Sequence, residues 1–303
     1  MKTVVIFGGS GFVGRHIIRR LSKKGYKIII PYQRQVNEPN LRLLGEVGQI
    51  ILIRYKSINE IKILELLENA GVVINLKTQW NEKKINFNQG ILDFNIKITN
   101  ILKKNTKKTK FIYFSGIGID KDNVSKRSGA IYKSENYILK NLINSIIIRP
   151  GVIIGGGDSF LKGLIPLFKF SFVIPLFGSG NSKFQPVYID DVSKAVVKII
   201  ENYTITNKIF EFTGNDIFTY KQFYQLISST FKSKRFIIPV PLFLIKIIIS
   251  ILAKTPFSPI NREQLRLFEK DSISYNDYNN LNDLDILPQD LKEIIKKIVI
   301  KNT

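Results

Sequence analysis

Short apolar, β-branched runs alternate with segments of helical periodicity through the first half of the chain. The runs fall at Thr3–Phe7, Lys27–Pro31, Gln49–Ile53, Val72–Leu76, Phe111–Ser115 and Ser145–Ile148. They are apolar almost without interruption, which predicts strands buried on both faces and hence a parallel sheet under helices. Val13–Lys24 and Ile58–Glu68 predict two of the covering helices. Residues 1–150 are therefore expected to form an α/β, Rossmann-type doubly wound domain.

After Arg149-Pro150 the rhythm changes. Gly155-Gly156-Gly157 and Leu164–Pro175 predict loops and short helices, and Val187–Glu201 a strand and helix. Ile209–Thr213 predicts a strand; Phe218–Phe231, Pro241–Ala253 and Leu291–Ile300 predict helices. Asp271–Asp290, rich in Asn and Asp, predicts an exposed connection. Residues 151–303 are expected to form a small C-terminal lobe interleaved with the first domain.

The strongest motif is Gly8-Gly9-Ser10-Gly11-Phe12-Val13-Gly14, between the first strand and the first helix. Gly8 permits a tight turn, Gly11 lets backbone approach a pyrophosphate, and Gly14 lets helix and strand pack closely. Ser10, Phe12 and Val13 complete the helix start, whose N–H groups and dipole favour an anion. The pattern predicts dinucleotide binding. An NAD site usually carries an acid at the end of the second strand, to grip the ribose hydroxyls. Here that position reads Pro31-Tyr32-Gln33-Arg34. Arg15 and Arg34 together suit a 2′-phosphate, so NADP(H) is preferred over NAD(H).

Composition narrows the chemistry. With no Cys and one His, His16, the chain has no thiolate zinc site, iron–sulfur cluster, Cys nucleophile or multi-His metal site. No metal is expected. Lys and Arg total 46 against 24 Asp and Glu, a net charge of +22. These charges are spread along a chain also rich in Ile and Asn, with no arginine stripe or stacked-aromatic pattern. No nucleic-acid partner is expected, and an anionic membrane surface remains a candidate. Met1-Lys2 leads straight into a strand, so no targeting segment is expected. Phe236–Ala253 is the most apolar stretch, but Pro239, Pro241 and Lys246 argue against a spanning helix. Its core-packing reading competes with docking to a partner or bilayer.

Several stretches carry a resemblance. They are Gly11-Phe12-Val13-Gly14-Arg15, Val73-Ile74-Asn75-Leu76, Phe114-Ser115-Gly116-Ile117-Gly118 and Arg149-Pro150-Gly151-Val152-Ile153, followed by Phe184-Gln185-Pro186-Val187-Tyr188-Ile189-Asp190-Asp191-Val192 and Pro256-Phe257-Ser258-Pro259-Ile260. With the Gly-x-x-Gly-x-x-Gly spacing, the chain resembles extended or atypical short-chain dehydrogenases/reductases. Almost end to end it resembles the nucleotide-binding accessory subunit of respiratory complex I and its alphaproteobacterial relatives. The resemblance implies a Rossmann domain with a small lobe and a tightly held, structural NADPH. It also implies complex I partners near the quinone module. The implied location is peripheral, on the cytoplasmic side of a bacterial inner membrane, or the matrix side in an organelle. Gly8, Gly11, Gly14 and Arg15 match the family's phosphate loop and Arg34 its 2′-phosphate position. Asn75 and Leu76 match the loop after strand four, and Arg149-Pro150 the strand-six turn.

Active short-chain reductases pair a Tyr acid/base with a Lys four residues later, and a Ser or Thr polarises the carbonyl. Tyr132 fits the Tyr position and would also contact cofactor, but Asn136 stands where the Lys should be. Ser115, a further cofactor contact, ends strand five, short of the usual hydroxyl position, which is Ile117 here. Asp190-Asp191 read as a helix start. Two functions follow. One is an NADPH-binding, non-catalytic accessory or assembly subunit of a respiratory NADH:quinone oxidoreductase. The alternative is a soluble NAD(P)-dependent reductase, epimerase or dehydratase, with a nucleotide sugar as candidate substrate.

Overall fold

The apolar runs become strands because each places β-branched side chains on both faces of a pleated ribbon that helices then cover. In chain order the strands are β1 Thr3–Phe7, β2 Lys27–Tyr32, β3 Ile50–Arg54, β4 Val72–Asn75, β5 Lys110–Phe114, β6 Ser145–Pro150 and β7 Ile153–Ile154. They continue as β8 Val173–Phe177, β9 Lys183–Phe184, β10 Val187–Tyr188, β11 Lys208–Phe212, β12 Phe218–Thr219 and β13 Phe236–Val240. The helices are α1 Phe12–Lys23, α2 Glu38–Arg42, α3 Ile61–Asn69, α4 Asp93–Lys104, α5 Lys126–Asn141 and α6 Ser159–Phe170. They continue as α7 Ile189–Glu201, α8 Tyr220–Ser228, α9 Leu242–Leu252, α10 Arg262–Leu265 and α11 Leu291–Asn302. The structure is a computed structural model and describes residues 2–302 except 83, 106–108, 121–124, 233 and 253–261. The Pro256–Ile260 motif lies outside the described residues.

The chain divides into two compact units. The first comprises Met1–Pro150, Ile189–Phe212 and Tyr278–Ile286. The expected division at residue 150 thus marks the end of β6, but α7, β11 and a late segment return to the first unit. The late segment falls in the stretch expected to be an exposed connection, yet it buries Leu281, Leu284 and Ile286. Its Asn279 carbonyl accepts the Glu211 N–H at 2.8 Å, which ties it to β11.

The sheet of this unit has seven strands in the order β11-β6-β5-β4-β1-β2-β3. All are parallel. The order reverses between β1 and β4, the switch point where α/β sheets open a crevice for ligands. Val5, Phe7, Val73, Phe111, Tyr113 and Ile147 pack on one face with Ile63, Ile98 and Ile138 of α3, α4 and α5. The intervening Val4, Ile6, Val72, Ile74, Ile112 and Ile146 are equally buried and point the other way. Arg20 of α1 donates to Ser193 of α7 at 2.7 Å and pairs with Asp190. Asp190 and Asp191 stand in the first turn of α7, where carboxylates suit the helix dipole.

The second unit comprises Gly151–Tyr188, Thr213–Asp277 and Leu287–Thr303. Its core joins Leu161, Phe168, Ile174, Phe184, Tyr220, Phe223, Leu291 and Ile295. Leu164–Pro175, expected to be loops and short helices, instead continues the twelve-residue helix α6 and then enters β8. Asp158 caps α6, accepting the Leu161 N–H at 2.7 Å, and three buried side chains hold the helix despite Pro166 within it. Thr219 and Gln222 form a reciprocal capping box that starts α8. The Phe236–Ala253 stretch splits into β13 and α9; no helix among the described residues is long and apolar enough to cross a membrane.

Candidate functional site

At the C-terminal end of β1 the chain turns through Gly8, whose φ of +77° lies in the left-handed region. A Cβ there would stand 2.9 Å from the Leu76 carbonyl carbon, so the turn lies directly against the loop after β4. The contact is pinned by the Leu76 N–H, which donates to Phe7 at 2.9 Å. Gly14 is tighter still: a Cβ would lie 2.4 Å from the Gly9 carbonyl oxygen. Gly11 occupies the N-cap of α1 with no side-chain cap, and no acid sits in the first turn. Arg15 N–H, donating to Gly11 at 3.1 Å, begins the helical ladder. The N–H groups of Phe12, Val13 and Gly14 precede that ladder at the positive end of the helix dipole. Ser10 stands in the turn, and Arg15 is exposed just beyond it. His16 stacks edge-on against Phe12 at 5.2 Å, and burial together with Arg19 holds its imidazole below the ordinary value.

The second strand ends without a free acid. Glu38, on α2, accepts from the Tyr32 hydroxyl and pairs with Arg42 at 3.2 Å. Arg34 is exposed and forms no ion pair among the described residues. Asn75 organises the loop after β4: its Nδ2 donates to Asn95 at 2.8 Å and its Oδ1 accepts the Lys77 N–H at 3.0 Å. Its side chain therefore positions Leu76 and Lys77 rather than reaching for a ligand. Lys77 then runs back toward β2. Its ammonium donates to Gln33 at 3.1 Å and lies 3.8 Å from the centre of the Phe94 ring. Burial, then the nearby Arg34, lowers its pKa to about 8.

Sequence reasoning missed Lys77. It follows the matched Asn75-Leu76 pair directly, but its orientation depends on Gln33 and Phe94, which lie far off in sequence. Farther along the same loop, Arg127 of α5 donates to the Gln79 carbonyl at 2.8 Å and stacks 3.8 Å over Trp80. Trp80 is thus held by packing.

On the other side of the switch point, Ser115 follows β5. Its N–H donates to Ile148 at 2.8 Å, while its hydroxyl is buried with no hydrogen-bond partner among the described residues. Tyr132 is half-buried and packs on the α3–α5 core. Asn136, in the position of the missing Lys, is exposed. Lys133 does not replace it. It is exposed and lines a cavity of about 410 Å³ with Glu82, Asn86 and Lys126.

Arg149 has a different task from the expected cofactor contact. It is buried, with Nε 3.0 Å from Glu135 Oε1 and an Nη 2.5 Å from Oε2. Glu211 stands 4.0 Å away, and the guanidinium lies 4.8 Å from the Tyr278 ring. This bidentate pair ties α5 to β6 in the low-dielectric interior, and leaves the guanidinium no fork for a ligand. Pro150 accepts the Ile117 N–H at 3.1 Å, joining the segment after β5 to the end of β6. Among the described residues no group of acids and His forms a metal cage.

The residues around the β1–β4 crevice fit a dinucleotide. Gly8 and Gly14 leave no room for a Cβ, the α1 N-terminus lacks a side-chain cap, and Ser115 keeps an unanswered hydroxyl.

Residues 4–122 match the NAD dependent epimerase/dehydratase family. Across 95% of its length the chain is 26% identical to the mitochondrial NADH dehydrogenase [ubiquinone] 1 alpha subcomplex subunit 9 of Arabidopsis thaliana, covering 74% of that protein. The fold is similar to that of UDP-N-acetylglucosamine 4-epimerase from Methanobrevibacter ruminantium, with a TM-score of 0.74 at 15% identity. That similarity covers 100% of this chain and 99% of the epimerase. It is also similar to a human epimerase family protein crystallised with NADPH, with a TM-score of 0.67 at 16% identity, covering 99% and 100% of the two chains.

Proposed function

We propose, for a chain that is an extended short-chain dehydrogenase/reductase and a homologue of mitochondrial complex I subunits, that it is an NADP(H)-binding, non-catalytic accessory or assembly subunit of a respiratory NADH:quinone oxidoreductase. The observation that carries this reading is a mismatch at one site. The glycine cradle is closed to a Cβ at Gly8 and Gly14, whereas the helix that should carry the catalytic pair offers Tyr132 with an exposed Asn136. A neutral amide has no charge with which to lower the pKa of a phenol.

In this reading the α1 N-terminus and the backbone of residues 8–14 hold the pyrophosphate. Arg15 and Arg34 face the 2′-phosphate, and Leu76, Ser115 and Tyr132 border the remainder of the nucleotide. A bound nicotinamide supplies hydride chemistry, which these side chains do not turn over. Arg149 and Pro150 keep the end of β6 in place instead.

The chain sits peripherally on the cytoplasmic side of a bacterial membrane, or the matrix side in an organelle, beside complex I subunits of the quinone module. An apolar surface on the second unit supports the membrane placement. Phe170, Phe172, Phe236 and Phe243 are 59–80% exposed, and Arg235 lies 5.0 Å over the Phe172 ring. Exposed aromatic rings beside cations suit an anionic lipid interface.

The decisive experiment isolates the native protein and identifies both the nucleotide it releases and the proteins it carries. NADPH together with complex I subunits is expected. A soluble protein whose loss leaves complex I assembly intact would refute the accessory role. The Ser115 hydroxyl beside a fold shared with epimerases favours a second reading, a reductase, epimerase or dehydratase acting on a nucleotide sugar. Turnover of such a substrate by the purified chain would establish it.

A further inference from the structure

Lys77 is placed by several independent contacts. The Asn75 side chain holds its N–H, Leu76 fixes the loop against Gly8, and Phe94 lies under its ammonium. The amine thereby reaches the C-terminal end of β2. Its hydrogen-bond partners there are neutral: the Gln33 amide oxygen at 3.1 Å and the Tyr55 hydroxyl at 3.5 Å. No ion pair joins Lys77 to a carboxylate among the described residues. Gln33 directly precedes Arg34, a second cation whose charge adds to burial in disfavouring the ammonium. The closest acid on the following segment, Glu38, is engaged by Tyr32 and Arg42. Two cations that repel one another, one of them half-buried, cost folding energy unless an anion joins them. The place they occupy is where a Rossmann fold receives the adenosine ribose, beyond the reach of the α1 N-terminus that takes the pyrophosphate.

We propose that Lys77, delivered from the loop after β4, is a specificity-determining residue for NADP(H): its ammonium and the Arg34 guanidinium together receive the 2′-phosphate. This rests on the NADP(H) reading above. The Gln33 amide holds the ammonium aimed at the ribose edge in the absence of the phosphate. Tyr55, whose phenol is pushed well above its ordinary value by burial, stays neutral and offers no competing charge. Where an NAD-specific site attracts ribose hydroxyls with a carboxylate, this site presents a dianion with two cations contributed by different strands. A lysine suits that task as a point charge, and Arg34 adds a planar fork.

Titration of the nucleotide-free full-length chain with NADPH and with NADH, followed by nicotinamide fluorescence, tests the proposal. Wild type is expected to favour NADPH. Lys77→Met keeps the stem packed on Phe94 and should weaken NADPH binding by about tenfold or more, leaving NADH binding unchanged. Lys77→Arg should retain most of the preference. Adenosine 2′,5′-bisphosphate should compete with NADPH on wild type far better than on Lys77→Met, and 5′-AMP should compete equally on both. An unchanged NADPH preference in Lys77→Met, or an equal loss for both nucleotides, overturns the role of Lys77 and leaves the NADP(H) reading standing. A wild-type chain that binds neither nucleotide, or favours NADH, overturns that reading and this inference with it.

Discussion

Replacing Gly14 with alanine tests the closest approach in the proposed nucleotide cradle. The added Cβ would lie 2.4 Å from the Gly9 carbonyl oxygen and 2.6 Å from its carbonyl carbon and Cα. That is roughly 1 Å inside ordinary contact. All three atoms are backbone of the turn, so no side chain can swing away; α1 or the loop must move. Overpacking of this kind costs about 3 kcal/mol at the upper end of its usual range. Alanine recovers about 1 kcal/mol of helix propensity relative to glycine. The net loss of about 2 kcal/mol should lower Tm by roughly 4–8 °C in a unit of this size. A matched control exists within α6, where a Cβ on Gly163 meets nothing within 4 Å. Gly163→Ala should gain about 0.5–1 kcal/mol and raise Tm slightly. Thermal melts followed by circular dichroism, with and without NADPH, read both effects. Gly14→Ala should also lose most of the stabilisation that NADPH confers, because the displaced loop no longer presents its N–H groups. A Gly14→Ala melt that matches wild type, with its NADPH shift intact, would show that the loop yields freely and that close packing is not what requires glycine there.

Three further outcomes are expected. Glu135→Ala strands the buried Arg149 guanidinium with Glu211 at 4.0 Å and should cost about 3–5 kcal/mol in urea unfolding; the Glu135→Met/Arg149→Met pair should cost far less, and equal losses would contradict the ion-pair account. Burial, then Arg34, holds Lys77 at about 8 against an ordinary 10.5, so between those values only the unfolded chain binds this proton and the residue's contribution to stability rises with pH through that window. Lys110, also lowered to about 8, titrates in both proteins, so the wild-type stability curve minus that of Lys77→Met isolates the slope, and superimposable curves would refute it. Phe172→Asp or Phe236→Asp should weaken sedimentation with phosphatidylserine vesicles by about tenfold or more, since burying one such ring contributes about 1.5–3 kcal/mol; unchanged sedimentation would remove the lipid interface.

Where local pattern dictates structure, the sequence was legible. The runs at Thr3–Phe7, Lys27–Pro31 and Ser145–Ile148 are too uniformly apolar to lie anywhere but inside a covered parallel sheet, and they do. Leu164–Pro175 misled because Pro166 reads locally as a breaker, whereas Asp158 at the cap and Leu161, Ile165 and Phe168 in the core outweigh one lost hydrogen bond. The same holds for residues 278–286. Their Asn- and Asp-rich context suggests solvent, but Leu281, Leu284 and Ile286 find a buried place that composition does not announce.

By itself the sequence determined the class of fold, the glycine turn at residues 8–14 and the absence of thiol chemistry, because each follows from neighbouring residues or from what the chain lacks. Only the tertiary structure decided the fates of Arg149 and Lys77. Arg149 begins one matched motif and Lys77 directly follows another, and nothing local distinguishes them. Arg149 turns inward because Glu135 and Glu211 arrive from other elements to neutralise it; Lys77 meets an amide, a phenol, a ring and another cation, and keeps its charge for something else. What a charge can bind is set by the groups that fold against it, and those are brought together through space rather than along the chain.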